Sequence, residues 1–84
     1  MTVKIYVPDI PEFMPLVKAA ENVPDCRVLG PTEGYWTVQA EGTLRFSRKA
    51  LNLGPAIWNS ALSGGFLGRI VKYGRDEMVI ESEV

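Results

Sequence analysis

Six basic residues, Arg45, Arg48, Lys49, Arg69, Lys72 and Arg75, stand within residues 42–75, a stretch that contains no Asp or Glu. Guanidinium and ammonium groups gathered in this way suit anions: an acidic protein surface, a phosphate backbone or a small anionic ligand. The rest of the chain holds Lys4, Lys18 and Arg27 against all ten carboxylates. A formal charge of −1 therefore conceals a strong separation, which speaks to partners more than to fold.

Between the two basic clusters, residues 50–68 carry no charge at all. Gly64, Gly65 and Gly68, followed by Arg69, can be read as an anion loop, because glycines let backbone N–H groups approach a phosphate. Their spacing fits neither the dinucleotide fingerprint nor the P-loop, both of which precede a helix, whereas these glycines follow one. A helix exit running into a strand bulge is the simpler expectation. Trp58 lies with Ile57, Ala61 and Leu62 on one helical face, suited either to a partner or to the domain's own sheet.

Several chemistries lack their residues. The chain has no histidine, which removes His-activated nucleophiles, ordinary zinc sites and an imidazole proton shuttle. Cys26, between Asp25 and Arg27, is the sole cysteine, so no internal disulfide forms and a reducing, cytoplasmic setting is expected. It reads as a structural thiol. Asp76, Glu77, Glu81 and Glu83 are not placed by the sequence at a set separation across a cleft, so no catalytic carboxylate pair is read. The expectation is a protein without catalytic activity, metal or cofactor.

The pI near 5.3 argues against a dedicated nucleic-acid module, for which a value above about 9 is usual, although Tyr35, Trp36 and Trp58 are candidate stacking residues. Residues 50–68 are about as long as a membrane span, yet only ten of the nineteen are apolar and glycine, proline and asparagine interrupt them. No membrane association is expected, and the first residues lack the basic and apolar pattern of a secretory signal.

The elements that must position these residues follow from periodicity. Val3, Ile5 and Val7 alternate with Thr2, Lys4 and Tyr6, a strand with one buried face. Phe13, Leu16, Val17 and Ala20 form a helical stripe, with a loose turn at residues 11–14 and regular helix from Pro15. Strands are predicted at residues 26–29, 35–40 and 43–46, the last two as a hairpin. A three-residue loop, 41–43, pairs Ala40 with Leu44 and Val38 with Phe46 and collects the apolar side chains on one face. Ser47 is a predicted N-cap for a turn through Leu53 that Gly54 ends; Pro55 opens a helix through Ser63. A final hairpin over residues 74–77 pairs Tyr73 with Met78 and Val71 with Ile80.

The sum is one α+β domain over residues 1–84, ordered β-α-β-β-β-α-β-β, with a largely antiparallel sheet and helices packed against it. A chain this short builds a core worth only a few kcal/mol net, so self-association is a natural means of support. The functional expectation is a small accessory or regulatory protein that docks to a protein partner, or to itself, through the basic residues and the central helix. Nucleic-acid binding through the same residues is the alternative. A small anionic-ligand binder or enzyme, in a pocket of Arg45, Arg69 or Tyr73, is a second alternative.

Overall fold

In the computed structural model, which describes residues 2–83, the first strand obeys its alternation. β1 (Thr2–Pro8) buries Val3, Ile5 and Val7 completely and turns Lys4 and Tyr6 outward. A 3-10 turn at Pro11–Phe13 then runs into α1 (Met14–Glu21), one residue earlier than expected. Pro15 is harmless there, since amides in a first helical turn have no intrahelical partner to lose. The stripe of Phe13, Leu16, Val17 and Ala20 is buried as predicted, against β2 (Cys26–Thr32) and β3 (Tyr35–Glu41).

Two antiparallel sheets result, giving the α+β class that the pattern predicts. The first has the order β2-β3-β1-β5, where β5 is Phe66–Leu67. The second has the order β4-β7-β6, from β4 (Thr43–Ser47), β7 (Glu77–Glu81) and β6 (Arg69–Tyr73). Between β4 and β5 lie α2 (Arg48–Leu51) and α3 (Pro55–Asn59).

The expected hairpin of residues 35–40 with 43–46 does not form. β3 pairs with β1 and β2, while β4 pairs with β7, and Gly42 (φ +86°) marks the corner between the sheets. The apolar side chains share a buried face as parity predicts, but the strands that carry them are not partners. Val38, Ala40, Leu44 and Phe46 are all buried, but a change of sheet achieves this in place of a loop. The same happens at Gly68, where β5 leaves β1 and β6 joins β7. Two bent strands thus flank a central line in which the start of β1 and the end of β7 meet: Thr2 opposes Glu41 and Glu81 opposes Thr43.

The final hairpin also needs a correction. Tyr73 pairs with Met78 as predicted, but a bulge opens between Ile70 and Lys72, so Ile80 faces Ile70 and Val71 is left over, 52% exposed. Strict alternation cannot anticipate an inserted residue.

Ser47 caps α2 as predicted, its Oγ accepting from the Ala50 amide at 3.4 Å, but Asn52 (φ +55°) and not Gly54 ends that turn. Pro55 opens α3, whose regular part closes at Asn59; the chain continues in turns to Gly64. One cluster of buried side chains, from Val3 through Leu16, Phe46 and Trp58 to Ile80, is shared by both sheets and the helices. Among the described residues no helix is long and apolar enough to cross a membrane.

Gly68 is the tightest test of this arrangement. Its φ is +139°, and a Cβ there would lie 2.8 Å from the Glu81 carbonyl oxygen, 2.9 Å from Ile80 Cγ2 and 3.2 Å from Val3 Cγ1. Gly68→Ala should destabilise the protein by about 3 kcal/mol, combining an unfavourable backbone conformation with overpacking. Gly74→Ala, with open space around it, should stay within about 0.5 kcal/mol. Urea unfolding of both variants checks the contrast.

Candidate functional site

Three of the six clustered basic residues lie on the β4-β7-β6 sheet. Arg45, on edge strand β4, stands opposite Val79, which in turn faces Lys72 on edge strand β6; Arg69 and Thr43 flank Glu81 in the same way. In a regular strand Arg69 and Lys72, three apart, would point to opposite faces. The bulge at Val71 brings them to one. Arg45, Arg69 and Lys72 therefore share the outward face with Glu77 and Glu81 of the central strand.

Cations on the edges and carboxylates down the middle make a ladder of ion pairs. Glu77 accepts Arg45 at 3.4 Å and Lys72 at 3.1 Å, and Glu81 accepts Arg69 at 3.3 Å. Hydrogen bonding and attraction from Lys72, with a smaller contribution from Arg45, hold the Glu77 carboxyl below its ordinary pKa. Exposed pairs of this kind are screened by solvent and add little to stability. Val79 lies between the stems of Arg45 and Lys72 and is only 5% exposed, although it belongs to the outward face and not to the core cluster. Long basic side chains commonly cover apolar surface in this way.

Arg48 does different work. Its Nη2 and Nε donate to Asp76 Oδ1 at 2.9 and 3.2 Å, Nε also reaches the Arg75 carbonyl at 3.1 Å, and Nη1 the Leu53 carbonyl at 3.0 Å. Together with the bond from the Arg48 amide to the Asp76 carbonyl, this ties α2 to the β6–β7 turn. Lys49 and Arg75 are exposed and make no ion pair among the described residues, but both act on Asp76 from nearby. Arg48 hydrogen bonding is the main cause that lowers the Asp76 pKa.

Trp58 is placed in the interior, 1% exposed, beneath this face. Its Nε1 donates to the Gly74 carbonyl at 2.8 Å, the Tyr73 hydroxyl donates to the Trp58 carbonyl at 2.5 Å, and the two rings meet edge to face at 5.9 Å. Burial raises the Tyr73 phenol above its ordinary pKa. What α3 offers to the surface near the basic face is Asn59, which with Tyr73, Gly74 and Arg75 lines an open hollow of about 390 Å³. The other candidate stacking rings lie in the other sheet: Trp36 is half-buried and donates to Asp9 Oδ1 at 3.0 Å, and Tyr35 is exposed.

The three loop glycines have packing reasons. A Cβ on Gly64 would run into the Tyr6 carbonyl oxygen and lie 2.8 Å from the Tyr35 ring; Gly65 (φ +101°) accepts from the Tyr6 amide at 3.0 Å; Gly68 is confined as described above. Burial first, and then the Asp25 carboxylate, raise the Cys26 thiol, so little thiolate forms near neutral pH.

One feature escaped the sequence reading. Tyr6, Thr32, Glu33, Tyr35, Thr37 and Gly64 line a cleft of about 430 Å³ on the outer face of the first sheet. Its two tyrosines are far apart in the chain, and only the β1–β3 register, with Tyr6 opposite Thr37 and Pro8 opposite Tyr35, makes them neighbours. The outward alternation of Tyr6 and of Tyr35 with Thr37 was the available signal. No protein-family model matches this chain, and no curated protein matches it in sequence.

The Arg48–Asp76 pair yields a pH prediction. Because the folded carboxyl titrates below its ordinary value, its contribution is complete above about pH 4 and is lost as the pH falls through the lowered pKa. The stability gap between the wild type and Asp76→Asn should therefore close in acid. NMR titration of the Asp76 side-chain carbon should show its pKa returning upward in Arg48→Met.

Proposed function

We propose that this protein acts by binding, without catalysis, and that it docks an acidic protein partner on the cationic side of the β4-β7-β6 sheet. The observation that carries this reading is that the two basic clusters, one on β4 and α2 and one on β6 and the turn after it, come together around one sheet. Arg45, Arg69 and Lys72 share a face, and Lys49 and Arg75 stand at its end. Asp76, Glu77 and Glu81 neutralise half of the six charges, which leaves a positive surplus. Val71, 52% exposed at the bulge between Arg69 and Lys72, adds apolar area of the sort that interfaces bury. Complementary charge would speed and orient the encounter.

Self-association is the closest variant of the same reading, since the carboxylates outside this sheet are in excess over Lys4, Lys18 and Arg27. Nucleic acid remains an alternative occupant of these cations, and it is weakened by the position of the aromatic rings. Trp58 is buried, and Tyr35 and Trp36 belong to the other sheet.

Lys49→Gln/Arg75→Gln is the discriminating variant, because it removes two charges without breaking an ion pair among the described residues. Capture from the source cell after nuclease treatment should retain a protein partner with the wild type. The double variant should bind it about tenfold more weakly, mainly through slower association, with unfolding unchanged. Loss of the captured material to nuclease would favour nucleic acid instead. Light scattering that shows the wild type, but not the variant, self-associating would make the partner a second copy.

A further inference from the structure

The cleft on the opposite sheet has a composition that the docking reading does not use. Tyr6, Thr37, Tyr35 and Thr32 lie on one face, Tyr6 opposite Thr37 and Tyr35 opposite Thr32. Gly64 closes one side so tightly that any side chain there would collide with the Tyr35 ring. Among the described residues neither tyrosine ring stacks on another ring, and neither hydroxyl has a hydrogen-bond partner. Among the described residues Glu33 is the one charged residue in the lining, and it makes no ion pair or hydrogen bond with the others.

Glu33 is also an unusual choice for its position. It and Gly34 form a two-residue turn between Thr32 and Tyr35 with φ of +54° and +86°. Turns with two positive φ angles are ordinarily built from Asn, Asp or Gly, because a longer side chain is disfavoured there. A glutamate in that conformation sacrifices stability and places a carboxylate beside two aromatic rings.

We propose that this cleft binds an organic cation, a quaternary or protonated alkylammonium group, between the tyrosines with Glu33 as its counter-charge. Aromatic faces attract cations through the ring quadrupole, and such rings with a carboxylate suit a methylated ammonium that forms few hydrogen bonds. The same group occurs on a free small molecule and on a methylated lysine of a partner protein. The cleft is open enough to admit either.

Choline chloride titrated into the full chain, followed by amide and side-chain NMR, should shift Tyr6, Glu33, Tyr35, Thr37 and Gly64, with sodium chloride at equal ionic strength as control. The uncharged carbon analogue 3,3-dimethylbutanol should bind about tenfold more weakly. Glu33→Asn should weaken choline about fivefold while leaving the urea midpoint equal or higher, since asparagine favours the turn. Tyr35→Leu should weaken it by a similar factor. A trimethyllysine peptide that binds more tightly than choline would assign the cation to a protein; the reverse order would assign it to a small molecule. Equal affinity for the uncharged analogue, unchanged affinity in Glu33→Asn, or no shift at these residues would overturn the proposal.

Discussion

The whole arrangement depends on how closely the chain can cross itself at Gly68. There the backbone passes within contact of the Glu81 carbonyl and the side chains of Ile80 and Val3, so the last strand and the first are held against one bend. With Gly42 at the opposite corner, this allows two bent strands to serve both sheets and one core to fill the space between them. A side chain at Gly68 would push apart the line where β1 and β7 meet.

The second constraint is the bulge at Val71. It has no partner across the ladder, but it resets the parity of β6 so that Arg69 and Lys72 emerge on the same side as Arg45. The resulting face is neither a bare cationic patch nor a neutral one. Carboxylates on the central strand pair with cations on both edges, and the stems of those cations shield Val79. Arg48 stands apart from this surface role, because its donors are spent on Asp76 and on two carbonyls that fix α2 against the hairpin turn.

Beneath the same hairpin, Trp58 and Tyr73 lock α3 to β6 through two hydrogen bonds and an edge-to-face contact. Burial accounts for only part of the uncharged stretch 50–68: Leu51, Leu53, Trp58 and Ala61 are packed inside, while Ala56, Phe66 and Leu67 are exposed. The sheet facing away from that packing carries the tyrosine cleft, so the two surfaces with unspent chemistry are opposite in character. One is basic, and the other is lined by two tyrosines and Glu33.

Local rules settled much of this protein without help. Alternation placed Val3, Ile5 and Val7 inside, helical spacing did the same for Phe13, Leu16, Val17 and Ala20, and Ser47 and Pro55 marked the helix starts. Each depends only on residues a few positions apart. Which strands pair was beyond such rules, because Val38 and Phe46 reach a common core equally well through a hairpin or through a change of sheet. The charges likewise looked unbalanced along the chain, since residues 42–75 contain no acid, and only the β7 register delivers Glu77 and Glu81 to their partners. The tyrosine cleft was hidden for the same reason. Long-range pairing is decided by the packing of the whole core, and no short window of sequence contains it.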